Sequence, residues 1–298
     1  CACRKPEPGL PPRRLGQPPP RPLARTGVEP PSGPDANLRG IAAPTHVVHG
    51  RHDVALVPEH RHAGRRLARA VRRAELRRGV STTPDGTLYV ADSFGDRVVL
   101  FDSTGVFLRQ WGTTGSAPGQ FDYPLDIECS GASVVYVVDN DNLRIQKLTT
   151  DGAPLLAWGS FGVDPGQFVE PWGLGVGPDG SVYVADWFNG RIQRFTAGGV
   201  YLNEWGGQGL GPGLFQSPIG ITTDAAGSVF VSDGTGNWVQ KFSPQGELLA
   251  RWGGPGTAPG QFHNAFGIAC DAQGNVYVAD HHNFRMQKFT NDGVFLTM

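Results

Sequence analysis

Long apolar runs are missing from this sequence. The longest cover only a few residues, as at positions 98–101, whereas a helix needs about 20 apolar residues to cross a bilayer. A basic stretch followed by an apolar one, the pattern of a secretory signal, is also missing from the start of the sequence. We therefore expect a soluble chain without a membrane span, in a compartment that the sequence leaves open.

Cysteine is scarce too, with four residues in 298. Cys1 and Cys3 lie near the beginning, whereas Cys129 and Cys270 are 141 residues apart, which is three lengths of the repeat described below. Positions related in this way lie on distant units, beyond the roughly 7 Å between Cα atoms that a disulfide allows. We expect Cys129 and Cys270 to be separate, buried thiols.

Charge is divided unevenly along the chain. Residues 1–78 hold 16 Lys and Arg against 6 Asp and Glu, a net charge of +10, while residues 79–298 hold 10 against 21, a net charge of −11. Residues 1–37 also contain 11 prolines among polar and basic residues. Such a composition cannot bury enough apolar surface to fold, so residues 1–37 are predicted to be disordered. The charge difference indicates that residues 79–298 form a domain of their own.

Residues 38–78 differ from both neighbours. Positions 44–53 have the pattern of a short strand and a turn, and positions 59–74 have the spacing of a helix. This segment resembles the late strand, acid-bearing loop and helix of α/β-hydrolases, with Asp53 at the place of the triad acid. That family also needs a nucleophile before the segment and a catalytic histidine after it, and neither is found. We interpret residues 38–78 as a remnant of that fold or as a linker.

Residues 79–298 repeat every 47 residues. A Tyr-Val-Ala-Asp motif at 89–92 occurs five times with small changes, a Trp-Gly motif at 111–112 occurs four times, and a Gly-x-Phe motif at 119–121 occurs four times. A fixed period of this length is typical of repeat architectures in which each unit is one supersecondary structure.

Each repeat is predicted to contain four short strands, here called a to d. In the third copy they fall at 173–176, 181–186, 191–195 and 200–206, separated by turns rich in glycine. Strand b is apolar on both faces, as at 134–138, so both faces must be covered. A β-propeller covers them by stacking four-stranded sheets around an axis. The sequence therefore predicts an all-β propeller.

The motifs together resemble the NHL repeat family. They comprise the Tyr-Val-Ala-Asp strand, an Arg-Ile-Gln-Lys-Phe-like strand at 144–148, 191–195 and 285–289, and the Trp-Gly and Gly-Gln-Phe motifs. The resemblance implies a six-bladed propeller, but only five copies are visible. Positions 72–74 carry Arg-Arg-Ala instead of Gly-Gln-Phe, and the last copy stops at Met298 before its Trp-Gly. We expect a six-bladed or truncated ring.

An aspartate ends strand b in every copy, and in four copies an arginine follows five residues later. A carboxylate–guanidinium pair repeated in this way indicates a framework role, not a metal site. In the fourth copy Trp238 replaces the arginine. The predicted structural residues are Asp92, Asp139, Asp186, Asp233, Asp280, Arg97, Arg144, Arg191 and Arg285.

The b–c loops and the d–a connections are expected to share one face of the propeller, opposite the glycine turns. This face carries the residues that differ between copies, and aromatic side chains lie there beside acids and histidines. Such surfaces are typical of ligand recognition. The candidate ligand-binding residues are Phe94, Tyr123, Asp126, Glu170, Trp172, Trp187, Phe188, His263, Phe266, His281 and His282.

These features predict a module that binds a protein, peptide or carbohydrate-like ligand, with no cofactor, catalytic residue or metal ligand assigned. The alternative is a lyase or lactone hydrolase that works at the central channel with zinc or calcium. The resemblance implies several histidines from different blades for such lyases, whereas His263, His281 and His282 belong to one copy. Adjacent His281 and His282 would also point apart if extended. Nucleic acid is not an expected partner, because a net charge of −11 repels phosphates.

Overall fold

Residues 79–298 are described by a computed structural model, and they form five antiparallel sheets of four strands each. In every sheet the strands are neighbours in chain order, so each sheet is a simple meander. The segments predicted as disordered at 1–37 and as a hydrolase-like fragment at 38–78 lie outside the described residues. Within 79–298 the prediction of an all-β propeller is confirmed.

The strand bounds follow the 47-residue period. The first blade contains β1 (Val80–Thr82), β2 (Leu88–Asp92), β3 (Arg97–Phe101) and β4 (Phe107–Trp111). The second contains β5 (Pro124–Ser130), β6 (Val134–Asp139), β7 (Arg144–Thr149) and β8 (Pro154–Trp158). The third contains β9 (Pro171–Val176), β10 (Val182–Asp186), β11 (Arg191–Phe195) and β12 (Tyr201–Gly206).

The fourth blade contains β13 (Pro218–Thr223), β14 (Val229–Asp233), β15 (Trp238–Phe242) and β16 (Leu248–Gly253). The fifth contains β17 (Ala265–Cys270), β18 (Val276–Asp280), β19 (Arg285–Phe289) and β20 (Phe295–Thr297). A short 3-10 helix, His281–Asn283, joins β18 to β19.

Strand a of the third blade begins two residues before its predicted start. Pro171 pairs with Asp186 across an irregularity in register that follows Val184. A bulge of this kind adds a residue to one strand without interrupting the sheet. The apolar pattern does not reveal it, so the predicted strand started at Gly173.

The core lies between neighbouring blades. Strands a and b of each blade pack against strand a of the next blade. The first of these interfaces joins β1 and β2 to β5, and the last joins β13 and β14 to β17. Strand b is therefore buried on both faces in the first four blades. Phenylalanines of the Gly-x-Phe motif fill each of these interfaces and are fully buried, namely Phe121, Phe168, Phe215 and Phe262.

The expectation of six blades is wrong for residues 79–298, which form five. Among the described strands, no comparable packing joins the fifth blade to the first. One face of the fifth blade is consequently less covered than its equivalents: Tyr277 and Met286 are half-buried, whereas Tyr183 and Ile192 at the same positions are fully buried.

The two cysteines of the propeller are buried and unpaired. Cys129 lies in β5 and Cys270 in β17, three blades apart. Burial raises the pKa of both thiols, so they stay protonated at neutral pH. In the part of the chain that the structure describes, no helix is long and apolar enough to cross a membrane.

Candidate functional site

The b–c loops and the d–a connections lie together on one face, called here the loop face. In each of four blades a backbone hydrogen bond ties the b–c loop to the preceding d–a connection. In the third blade, Trp187 donates its backbone N–H to the Glu170 carbonyl at 2.9 Å. The equivalent donors in the second, fourth and fifth blades are Asp141, Gly234 and His281. The opposite face, called the turn face, carries the a–b and c–d turns.

A repeated polar network holds the loop face in place. In the third blade, Arg191 donates from Nε to the buried Asp186 carboxylate at 3.2 Å and from its other nitrogens to the carbonyls of Val163, Asp164 and Gln167. Gln193 completes the network, because its side chain accepts from Gly166 N and donates to Gln167 O. The d–a connection is thus clamped by side chains of its own blade.

The predicted carboxylate–arginine pairs have the same geometry in four blades. The Nε to carboxylate distances are 2.9 Å for Arg97–Asp92, 2.7 Å for Arg144–Asp139, 3.2 Å for Arg191–Asp186 and 2.7 Å for Arg285–Asp280. In the fourth blade, which lacks the arginine, Asp233 accepts the backbone N–H groups of Gln216, Ser217 and Gly236. Arg251 stacks there over the Trp238 ring at 3.8 Å.

The glutamine of this network was missed in the sequence. Gln146, Gln193, Gln240 and Gln287 each bridge a Gly N–H and a carbonyl of the d–a connection. They recur every 47 residues on strand c, so the repeat itself contained the signal.

Aromatic side chains form a continuous strip on the loop face. Trp172 and Trp187 are stacked, with ring centroids 5.7 Å apart and an interplanar angle of 20°. Trp187 contacts Phe188 at 6.1 Å, and Trp172 meets Phe266 edge-on at 6.0 Å. Phe188 is 61% exposed, while Trp172, Trp187 and Phe266 are half-buried. The strip thus offers ring surface to a ligand.

The strip joins two blades that are not adjacent. Trp172 is the second residue of β9 and Phe266 the second residue of β17, so they occupy the same position in the third and fifth blades. The fourth blade has the shorter Ile219 there. Strand a of each blade packs against strand a of the next blade, so the contact between the two rings lies where the inner strands of the blades meet.

Three histidines extend the strip on the fifth blade. His281 lies 5.4 Å from Phe266, His282 lies 4.8 Å from His281, and His263 lies 4.7 Å from His282, all between ring centroids. His281 and His282 would point apart in an extended segment, but they lie in a 3-10 turn, and their rings are neighbours. Within residues 79–298, no three His, Cys, Asp or Glu side chains are arranged to hold one metal ion.

A second aromatic pair lies on the first two blades. Phe94 and Tyr123 meet edge-on at 5.5 Å, and Phe94 is 63% exposed. Asp96 holds the loops around this pair in place, since its carboxylate accepts hydrogen bonds from Tyr123 N at 3.0 Å and from the Thr114 hydroxyl at 2.6 Å.

Carboxylates lie beside these aromatic groups. Glu170 accepts a hydrogen bond from Trp172 Nε1 at 3.0 Å. The pKa of Asp141 is raised, first by partial burial and then by the negative charges of Asp122 and Glu170, with smaller effects from Asp139 and Asp96. Acids of the first three blades therefore share one region of the loop face.

Asp126 is not part of that surface. It was expected on the loop face, but its side chain is buried between β5 and β9. One carboxylate oxygen accepts from its own neighbour Ile127 N at 2.9 Å and the other from Leu174 N at 2.9 Å. Asp126 thus ties the inner strands of two blades together.

A cleft of about 360 Å³ lies at the outer edge of the third blade. The Arg191–Glu204 ion pair, 2.9 Å long, and Trp205 line it. All five N–H donors of Arg191 face acceptors within hydrogen-bonding distance, so this cleft presents no free cationic group. The loop face remains the richer surface for recognition.

Comparison with known proteins agrees with this fold. The family model described as NHL repeat matches residues 168–195 and 262–289. No curated protein matches the sequence. Among solved structures, a streptogramin B lyase superimposes with a TM-score of 0.58 at 16% identity, covering 74% of this chain and 68% of that one.

Two further structures are similar. Virginiamycin B lyase from Staphylococcus aureus gives a TM-score of 0.56 at 15% identity, covering 74% of this chain and 68% of its own. A chain of a nidogen/laminin complex gives 0.58 at 17% identity, covering 75% of this chain and 79% of its own. At these identities the likeness concerns the fold alone.

Proposed function

We propose that the NHL-repeat β-propeller of this chain is a binding module that receives a protein, peptide or carbohydrate-like ligand on its loop face. The observation that carries the proposal is the aromatic strip from Phe188 through Trp187 and Trp172 to Phe266. Partly exposed rings in mutual contact offer a large apolar surface with little conformational entropy to lose on binding.

The setting of the strip supports the same function. Its loops are held by buried carboxylate, arginine and glutamine side chains, so the rings sit on a rigid framework. Preorganised aromatic groups commonly provide most of the affinity of an interface. The turn face, by contrast, is built from tight turns around glycines such as Gly199 and Gly246.

The similar structures are of two kinds, a component of a protein complex and lyases. One belongs to a complex of nidogen with laminin, and two are named lyases. A metal-dependent lyase or lactone hydrolase is the alternative function for this chain. Such a zinc site needs three protein ligands around one ion, and no such group occurs among residues 79–298.

Ligand screening tests the proposal. The whole chain would be immobilised and exposed to a random peptide library and to a glycan array, and every retained ligand would be titrated. Changing Trp187 and Phe188 together to alanine should weaken binding, by about 2 kcal/mol or more for each ring that contacts the ligand. Circular dichroism should be unchanged, because both residues follow the end of β10.

Gln245→Ala is the matched control. Gln245 is exposed in a c–d turn on the turn face, beside Gly246, and its side chain should not touch the ligand. Equal affinity of wild type and the Trp187/Phe188 double variant, or a loss only in the Gln245 variant, would place binding on another surface and contradict the proposal.

A further inference from the structure

The basic residues of the propeller are all engaged. Arg97, Arg144, Arg191 and Arg285 bind the aspartates at the ends of strand b. The remaining six are bound or stacked within their surroundings: Arg109 on Asp151, Lys147 on the Ala197 carbonyl, Arg194 on Asp179, Lys241 on Asp292, Arg251 on Trp238 and Lys288 beside Asp271.

The acids of the loop face are not neutralised in this way. Asp96, Asp122, Asp141 and Glu170 lie on three successive blades, and none of them forms a salt bridge within residues 79–298. Asp122 and Asp141 are exposed. The pKa of Asp141 is raised first by its partial burial and then by the negative charges of Asp122 and Glu170. This part of the face therefore carries a negative potential that a positively charged ligand would relieve.

Glu170 connects the acidic region to the aromatic strip. Its carboxylate accepts from Trp172 Nε1, and Trp172 is stacked on Trp187. A cation that approaches Glu170 thus also approaches ring faces. An arginine guanidinium is suited to this position, because it stacks on aromatic rings and donates to a carboxylate at the same time. Arg251 over Trp238 is an example of such stacking in this propeller.

We infer that the loop face binds a basic peptide segment of a partner protein, with lysine or arginine side chains beside Glu170 and Asp141 and apolar side chains on the Trp172–Trp187 strip. This inference rests on the proposed function and names its ligand chemistry. An extended peptide can reach from the acids of the second blade to the rings of the third and fifth.

The charge pattern disfavours other ligands. A neutral sugar would stack on the rings but would leave the carboxylates without a counter-charge. An acidic peptide or a nucleic acid would be repelled by them. Of these ligands, only the basic peptide complements the charge of the loop face. The experiment below also detects a glycan ligand.

The test begins with a random peptide library selected on the whole immobilised chain. We expect enriched peptides to carry lysine or arginine next to an aromatic or aliphatic residue. The enriched peptide is then titrated against the Glu170→Gln/Asp141→Asn variant, which keeps the shapes and the acceptor for Trp172 but removes two charges. Affinity should fall roughly three- to tenfold, the effect expected for two exposed ion pairs, and should fall with added salt in the wild type.

Glu247→Gln is the charge control. Glu247 is an exposed acid in a c–d turn on the turn face, and its removal should leave the affinity unchanged. Enriched peptides without an excess of basic residues, or equal affinity for wild type and Glu170→Gln/Asp141→Asn, would overturn the inference. Retention of glycans alone would do the same, while the proposed function would stand. Binding that survives the Trp187/Phe188 double variant would instead refute the proposed function.

Discussion

At the scale of single residues, the tryptophans that end strand d secure one blade to the next. Trp158 lies 5.7 Å from Phe195 of the following blade, and Trp205 lies 5.7 Å from Phe242, between ring centroids. The indole N–H groups of both are buried and have no acceptor in the described chain. These side chains therefore stabilise the propeller by packing and not by hydrogen bonding.

We predict that Trp158→Ala and Trp205→Ala each lower the free energy of unfolding, because truncation leaves a cavity between two blades. The loss should approach about 3 kcal/mol, the lower end of the range for a buried ring, since both rings are partly exposed. Trp158→Phe should restore more than half of the loss, since no indole hydrogen bond is given up. Urea unfolding followed by fluorescence measures these differences. Alanine variants as stable as wild type would show that the rings face solvent.

Each of these rings covers a glycine. A Cβ added at Gly199 would lie 2.8 Å from Trp158 Cε3, and the backbone there has a φ of +73°. Gly166 has a similar φ of +81° but open space where a Cβ would lie. Alanine substitutions at Gly199 and at Gly166 therefore differ only in the steric clash with the ring, because both place alanine in a left-handed backbone.

We predict that Gly166→Ala costs about 1–2 kcal/mol of stability, the cost of a left-handed alanine, and that Gly199→Ala costs clearly more. In a Trp158→Ala background the two substitutions should have similar effects, because the clash is removed. Thermal melts of wild type, the three single variants and the two double variants, six proteins in all, provide the comparison. If Gly199→Ala still cost more stability than Gly166→Ala in the Trp158→Ala background, the clash would not be with Trp158.

At the scale of the blade, the carboxylate–arginine network differs from surface ion pairs. Asp186 is fully buried and the Arg191 side chain is only 10% exposed, whereas the Arg109 and Asp151 side chains are 47% and 74% exposed. Removing a partner from a buried pair leaves an uncompensated charge, whereas an exposed pair is largely screened by water.

Arg191→Ala should therefore destabilise the propeller by about 3–5 kcal/mol, and Arg109→Ala by less than about 1 kcal/mol. Because Arg191 also holds the carbonyls of the d–a connection, hydrogen exchange should quicken at residues 163–168 in the first variant only. Equal stability losses in the two variants would show that the buried network contributes no more stability than an exposed ion pair.

At the scale of the whole molecule, the ends of the blade series are not equivalent to its middle. Ile192 in the third blade is fully buried against the fourth, while Met286 at the same position in the fifth blade is half-buried. No further described blade covers that face. The free energy that a core side chain contributes should therefore depend on the blade in which it lies.

We predict that Ile192→Ala costs about 2–5 kcal/mol, the range for a buried aliphatic truncation, and that Met286→Ala costs less than half as much. Denaturant unfolding of both variants measures this. A loss at Met286 equal to that at Ile192 would indicate that this face is covered in solution, by another part of the chain or by a second molecule.

The charge division predicts that the propeller is independent of the basic N-terminal segment. A chain that starts at residue 75 should have the same circular dichroism spectrum and melting temperature as the full chain. The reason is that residues 1–74 differ from the propeller in composition, charge and periodicity. An insoluble or unfolded product would show that residues 38–74 are needed to complete the fold.

Much of the blade was predictable because its determinants are local. Strand c of the third blade has its predicted bounds, Arg191–Phe195, and the aspartate before it closes strand b as the motif indicated. The bulge before Asp186 and the buried place of Asp126 were not predictable. Both depend on how an inner strand meets its neighbours, which the apolar pattern of one strand does not contain.

The sequence by itself determined the period, the four-stranded unit and the face on which variable side chains gather, because each unit repeats the same pattern of apolar residues and turns. Tertiary structure alone decided which of those side chains meet. Trp172 and Phe266 are 94 residues apart, and their rings touch only because the curvature of the blade stack brings the third and fifth inner strands together across the shorter Ile219. His281 and His282 converge because a 3-10 turn replaces an extended loop. Curvature and turn geometry arise from the packing of whole blades, so no single repeat encodes them.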